Sequence, residues 1–534
     1  MKILSAAQMR EVDRLTTEEF HIPGLLLMEA AAGRTVEAIE RKFGSMRSKR
    51  VLVVSGCGNN GGDGAAIARL FHTQGANVKL LLIGCVADAR GQTLSNLEIV
   101  KALASNDKSG QGLVEIETGD QFRIEARSHV YDVVIDAIFG TGLTRPASGI
   151  FEEAIDCINQ LRDVAPVVAV DIPSGAASDS ADLIGPAVRA HLTVTFTAPK
   201  IANVLPPASD CSGEVIVAPI GSPAELIESS GSQLTLIDSA IVEAWLARSR
   251  RSPHANKGNV GKVLVIAGSR GKSGAACLVG EAALRAGCGL VTVATPRSSQ
   301  PVLASRLIPE CMTESLDETP HGAVAREALD LALGFAAERD VVAIGPGLGS
   351  SEESTRSFVR SVVVSRQRPM VLDADALNAL APWAPELRGS PELPLILTPH
   401  PMEMVRLVGN QIEEVVSNRI EIAREFATGH SVILVLKGSR TVIAAPDGEV
   451  YVNPTGNAAM ATAGTGDVLA GIIGALLCQR LNPLQAAQCG VYLHGLAGDR
   501  VRDRLGDHGL IASDVLEELP YALQATTRRE ACSP

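Results

Sequence analysis

Short apolar runs, each followed at once by a glycine-rich or polar turn, recur along the whole chain. In the first half, residues 50–54, 78–83, 132–137 and 167–171 predict strands, and helical spacing over 65–74 predicts the helix joining the first two. The second half repeats the pattern at 262–267, 290–294, 341–344, 370–372, 395–397 and 432–436, with a helix over 274–286. Alternation at 441–445 and 449–452 around Pro446-Asp447-Gly448 predicts one hairpin, and a strongly apolar helix begins at Val468. Strands apolar on both faces belong to parallel sheets covered by helices on both sides, so the fold class is α/β. Proline, glycine and serine interrupt the pattern over 219–232 and predict a linker, giving two domains, 1–225 and 226–534.

Composition narrows the class. Apolar residues make up 46% of 534 positions but aromatic ones only 3%, so the interior is built from Ala, Val, Leu and Ile. A formal charge of −12 excludes a general nucleic-acid surface. The ten cysteines, Cys532 among them, form no C-x-x-C pair and no zinc-spaced cluster, which fits reduced thiols in a cytoplasm. Charges interrupt the first residues where a secretory leader needs an apolar stretch, and no run suffices to span a membrane. A cytoplasmic enzyme without membrane partners, assembling as a homo-oligomer, is the expectation.

Two glycine-rich loops carry the chemistry: Gly56-Cys57-Gly58-Asn59-Asn60-Gly61-Gly62-Asp63-Gly64 and Ala463-Gly464-Thr465-Gly466-Asp467. Each lets backbone N–H groups and a helix N-terminus face an anion; a capped turn is the alternative reading. A parallel sheet brings Asn60, Asp136, Asp171 and Ser174 to one edge, where their oxygens suit a monovalent or hard cation. Asp467 is placed to accept a proton beside a phosphoryl group, and Lys437, Gly438, Ser439, Arg440 and Thr441 offer contacts to nucleotide phosphates. Gly345 to Gly349 allow close backbone approach, His400 sits between two prolines, and Asp373 and Asp375 are either Mg²⁺ ligands or helix-start carboxylates.

At these motifs the chain resembles the bifunctional NAD(P)H-hydrate repair enzymes, over nearly its full length. Gly58 to Gly64, Asp136 to Leu143, Asp171 to Gly175 and Ala198-Pro199-Lys200 match the epimerase part in order and spacing. His254, Lys257, Gly258, Gly274, Ala275, Gly345 to Gly349, Thr398 to Met404, Lys437-Gly438 and Gly456 to Gly471 look like the dehydratase part. Cys57, Met402 and Ala458-Ala459 depart from the usual loop residues. The resemblance implies a Rossmann-like three-layer α/β/α domain followed by a ribokinase-like one. It also implies that Asn59, Asn60, Gly61, Gly62, Asp63, Gly140, Thr141, Gly142, Leu143, Thr144, Arg145, Pro146 and Asp171 contact the hydrate, with Asp171 the candidate acid/base. Asn60, Asp136 and Ser174 would surround K⁺. In the second domain Ala275, Gly347, His400 and Asp467 would contact the S hydrate of NADH or NADPH, and Lys437 to Thr441 with Gly466 would hold ADP with Mg²⁺. Rival readings are a ribokinase-like small-molecule kinase and a first domain reduced to a nucleotide-binding or scaffold role.

Overall fold

The computed structural model describes residues 1–106, 112–249, 251–479 and 481–527, and divides into two compact units, Met1–Leu234 and Thr235–Pro534. Two helices, Ala6–Glu18 and Gly24–Phe43, precede the first strand. A capping box starts the first: the Ser5 hydroxyl accepts from the Gln8 amide at 3.2 Å, and Gln8 Oε1 accepts from the Ser5 amide at 2.9 Å. Unit 1 then builds β1 (Arg50–Ser55), β2 (Asn77–Ile83), β3 (Leu113–Ile116), β4 (Val133–Ala137), β5 (Val167–Val170), β6 (Leu192–Phe196) and β7 (Glu214–Ala218). All pair in parallel in the order β3-β2-β1-β4-β5-β6-β7. That is the Rossmann order, with the chain reversing direction across the sheet between β1 and β4.

The helix after β1 spans Asn59–Thr73 and so starts earlier than the expected 65–74, because the glycine-rich loop is itself its first turns. Poor helix formers are tolerated there by packing. A Cβ on Gly61 would lie 1.7 Å from the Gly56 carbonyl oxygen, and one on Gly64 would lie 2.5 Å from Ser55 Oγ. β5 likewise stops one residue short of the expected end, since Asp171 turns into the left-handed region at φ 66°. The break at 219–232 is not an extended linker. It holds the helix Ala224–Glu228, whose Leu226 is buried with Leu4, Met9, Val12 and Ala198, and the division between units falls after Leu234 rather than at 225/226.

Unit 2 contains β9 (Lys262–Ile266), β10 (Leu290–Pro296), β11 (Met312–Leu316), β12 (Val341–Ile344), β13 (Met370–Leu372), β14 (Leu395–Leu397), β15 (Ile433–Leu436), β16 (Val442–Ala444) and β17 (Val450–Val452). With β8 (Leu234–Leu236) at one edge, the order is β11-β10-β9-β12-β13-β14-β15-β16-β17-β8. Pairing is parallel from β11 to β15, then antiparallel through β16 and β17, which form the expected hairpin. The helix Thr465–Leu477 is buried against Ser273–Arg285 so closely that a Cβ on Gly471 would meet the Val279 carbonyl at 2.4 Å. Nine described cysteines are free, and Cys532 lies outside the described residues. No described helix is long and apolar enough to cross a membrane.

Gly61→Ala should destabilise unit 1 by about 3 kcal/mol, because backbone cannot retreat from the added methyl as a side chain can. Gly142→Ala, with nothing within 4 Å of its Cβ position, should leave denaturant unfolding unchanged.

Candidate active sites

The reversal in unit 1 opens a crevice at the carboxyl ends of β1 and β4, and a cavity of about 950 Å³ lies there. Asn59, Asn60, Asp63, the strip from Gly140 to Arg145 and Asp171 line it. Gly61, Gly62 and Pro146 do not: the two glycines are buried behind the wall, and Pro146 packs on Gly185, whose Cβ position is 3.1 Å from that of Pro146.

Asn60, Asp136 and Ser174 come together. The Ser174 amide and hydroxyl donate to Asp136 at 2.8 and 2.6 Å, the Phe139 amide donates to Ser174 Oγ at 2.9 Å, and Asn60 Nδ2 donates to the Phe139 carbonyl at 2.8 Å. Asp136 is fully buried. Burial raises its pKa to about 6 against the hydrogen bonds from Ser174 and Ile138. One carboxylate, an amide, a hydroxyl and nearby carbonyls form a hard-oxygen donor set that fits a monovalent cation, whose charge would compensate the buried aspartate.

Asp171 faces the cavity from β5. Lys200, 1% exposed, donates to its Oδ1 at 2.6 Å, and Thr195 Oγ1 donates to the same oxygen at 3.0 Å. Two further carboxyls share the cavity wall, Asp63 and Asp13. Burial, then Asp171 and Asp13, push Asp63 well above the ordinary carboxylate range, with Lys200 opposing. Burial raises Asp13 to about 6 despite Lys200. Asp13 lies on the first helix, where a charged residue among others gives no sequence signal of a site.

In unit 2 the loops after β9, β12, β13, β14 and β15 share the carboxyl edge of the sheet. Gly347, at φ 67°, sits against Ala275: a Cβ there would lie 3.1 Å from that of Ala275. His400 caps the helix Pro401–Val408, its Nδ1 accepting from the Met402 and Glu403 amides at 3.1 and 3.3 Å. Burial, then Lys437 and Arg406, lower its pKa and favour the neutral ring. Met402 is exposed on the first turn of that helix, so the departure at this position does not crowd the interior.

Lys437 pairs with the buried Asp373 at 2.7 Å and lies 3.9 Å from Glu403, while Thr398 donates to the same Asp373 oxygen at 2.7 Å. Burial disfavours the ammonium, but Asp373 and Glu403 outweigh it and hold Lys437 above the ordinary lysine value. Its Nζ is 3.2 Å from the Cβ position of Gly466, which brings together two of the expected nucleotide contacts. The intervening loop is held from behind. Arg419 donates to the carbonyls of Ser439 and Arg440 at 2.7 and 3.3 Å, Arg440 turns its guanidinium to the Pro454 carbonyl, and Thr441 Oγ1 donates to the Gly438 carbonyl at 3.1 Å. Arg419 carries no motif of its own and escapes sequence reasoning, and Glu403 lies inside the Thr398 to Met404 stretch without a role assigned to it.

Asp467 occupies the first turn of Thr465–Leu477, whose leading amides have no intrahelical partner. Burial, then Asp373, raise its pKa to about 7 against Lys437. Asp375 instead braces a loop, accepting from the Gly349 amide at 2.8 Å and the Ser350 hydroxyl at 3.0 Å. Among the described residues no three His, Cys, Asp or Glu side chains are arranged as a metal cage.

Residues 263–521 match the family model described as NAD(P)H-hydrate dehydratase, and residues 24–202 match the YjeF-related protein N-terminus. The bifunctional NAD(P)H-hydrate repair enzyme Nnr of Moorella thermoacetica is 44% identical, over 98% of this chain and 97% of its own length. Its namesake from Thermofilum pendens is 38% identical, over 98% and 97%. The ADP/ATP-dependent NAD(P)H-hydrate dehydratase of Bacillus subtilis, co-crystallized with ATP/Mg²⁺, is 34% identical, covering 55% of this chain and 98% of its own, with a TM-score of 0.48.

Lys437→Met leaves the Asp373 carboxylate buried without its cation and should destabilise unit 2 by about 3 kcal/mol. Adding Asp373→Asn should recover most of that loss in urea unfolding.

Proposed function

Because the chain belongs to the family of bifunctional NAD(P)H-hydrate repair enzymes, we propose that its first unit interconverts the R and S hydrates of NADH and NADPH and its second unit dehydrates the S form. The observation that carries the second activity is Asp467, a half-buried carboxyl beside the free amides of a helix start and beside Lys437. Water is a poor leaving group and phosphate a better one, so dehydration proceeds through phosphorylation of the C6 hydroxyl. Asp467 takes the hydroxyl proton, the amides at Thr465 and Gly466 face the developing phosphoryl charge, and Lys437 offsets it. The N1 lone pair then expels phosphate from C6, and loss of a proton from C5 forms the C5–C6 double bond of the reduced ring. With ADP as donor the other products are AMP and phosphate.

Lys437, Gly438, Ser439, Arg440, Thr441 and Gly466 would hold the nucleotide, and Ala275, Gly347 and His400 the hydrate. The Arg440 guanidinium is turned to the Pro454 carbonyl, so it is the backbone of that loop that would meet phosphates. Asp373 is the carboxylate that would hold Mg²⁺, which when bound neutralises charge on the transferring phosphoryl group. In the first unit Asn60, Asp136 and Ser174 would hold K⁺, which when bound compensates the buried Asp136 charge. Asp171, ion-paired with Lys200, acts as base toward the hydrate. The small-molecule kinase reading is not favoured, because relatives matching both units over nearly their whole length are named for repair.

Supplying mixed R and S hydrates with ADP or ATP tests the reading. Both epimers should disappear, reduced-nicotinamide absorbance should return and phosphate should be released in step; a stable phosphorylated product would overturn it. Asp171→Asn should leave the R form unconsumed while S is still dehydrated, followed by separating the epimers chromatographically. Asp467→Asn should retain ADP binding and slow dehydration about 10³-fold. In the unaltered chain the dehydration rate should rise with pH through about 7, as the base loses its proton. The folded pKa exceeds the unfolded one, so this group's contribution to stability falls as pH rises toward 7, and Asp467→Asn removes that decline.

A further inference from the structure

Inverting C6 of the hydrate needs an acid as well as a base, and Asp171 supplies only the latter. C6 carries the hydroxyl and the ring nitrogen N1, and its hydrogen is not acidic, so its configuration is lost when the bond to oxygen or to N1 breaks. The first helix, Ala6–Glu18, answers the requirement. Met9, Arg10, Asp13, Arg14 and Thr17, spaced three and four apart, line the cavity that Asp171, Asp63 and Lys200 also line.

Lys200 cannot satisfy Asp13. An ammonium has three donors, and those of Lys200 go to Asp171 Oδ1 at 2.6 Å, Thr195 Oγ1 at 3.0 Å and the Phe196 carbonyl at 3.1 Å. Asp13 Oδ1 is buried and has no hydrogen-bond partner among the described residues. Arg14, next along the helix, is engaged by Glu11 and Glu18. A carboxyl with a buried, unpaired oxygen, near a carboxylate that has taken the Lys200 ammonium, holds a proton more readily than a charge.

We propose that Asp13 is the acid partner of Asp171 in epimerisation, giving its proton to N1 of the hydrate while Asp171 takes the proton of the C6 hydroxyl. This rests on the reading of the first unit as the epimerase. As the hydroxyl proton leaves, the O–H electron pair becomes the second bond of a C6 carbonyl. The C6–N1 bond breaks, and its electron pair takes the Asp13 proton at N1. The open aldehyde turns about its bond to C5 and is attacked by N1 on its other face. N1 returns its proton to Asp13, Asp171 returns its proton to oxygen, and the opposite epimer results with both carboxyls restored. No oxidant, reductant or water is consumed. The raised Asp13 pKa accords with this role, and the groups that face it are Asp171, Asp63 and Lys200, with Arg10 and Arg14 on its own helix.

The test uses the full chain with purified R and S hydrates, following interconversion without nucleotide, and S dehydration with ADP as a control on each preparation. Asp13→Asn should lower kcat for interconversion about 100-fold with little change in KM. In the unaltered chain this rate should fall as pH rises through about 6, and the fall should vanish in Asp13→Asn. Asp13→Glu should restore part of the rate together with a displaced pH limb. An interconversion rate unchanged in Asp13→Asn overturns the assignment, as does a high-pH limb removed by Asp63→Asn but kept in Asp13→Asn. Should Asp13→Asn fail to fold, by loss of the unit 1 melting transition, Asp13→Glu decides: a displaced limb supports the role and an unmoved one overturns it. Absence of interconversion in the unaltered chain overturns the epimerase reading itself, a separate result.

Discussion

At the carboxyl edge of each sheet one enclosed lysine meets more carboxyls than it can pair. In unit 1 Lys200 takes Asp171, leaving Asp63 and Asp13 on the same wall; in unit 2 Lys437 takes Asp373, with Glu403 and Asp467 close by. Burial penalises every unpaired charge, and like charges penalise one another, so the surplus carboxyls keep their protons to higher pH. Asp467 at about 7 and Asp13 at about 6 are outcomes of that imbalance. A proton donor or acceptor near neutrality arises wherever acidic groups outnumber buried cations in a closed space, with no unusual residue needed.

The lysines and their partners come from different strand-end loops, so the imbalance exists only once the sheet has formed. Asp171 reaches Lys200 because the chain leaves β5 in a left-handed turn, and Asp373 reaches Lys437 across β14. Backbone strain of this kind costs about 1–3 kcal/mol and persists where surrounding structure holds it. Here the holding is done by Lys200, Thr195 and Asn203, the last donating to the Asp171 carbonyl at 3.3 Å.

Much of this was legible beforehand because glycine patterns and apolar runs report local geometry. The strands ending at Ala137 and Leu372 and the hairpin around Asp447 could be placed from alternation and turn residues alone. The start of the helix at Asn59 could not. Asn and Gly disfavour helix locally, and only the absence of room beside Gly56 and Ser55 explains their use there. Asp13 and Arg419 were hidden for another reason: each sits in a helix rich in charge, where the solvated face is the natural reading. Their roles depend on which stripe turns inward, and that is decided by elements far away in sequence. The stretch over 219–232 misled in the opposite direction, since its loop-like composition encloses Leu226, which packs into the core beside Met9.

The backbone at Gly56, Gly61 and Gly64, packed at and behind the first cavity, has a practical consequence for redesign of that cavity. Its atoms meet main chain and neighbouring strands at distances that admit no methyl group, so a library randomised there would yield mostly misfolded clones. Diversity is better spent on Thr141, Leu143, Thr144 and Arg145, which border the same space from a half-open strip and can change without displacing a carbonyl.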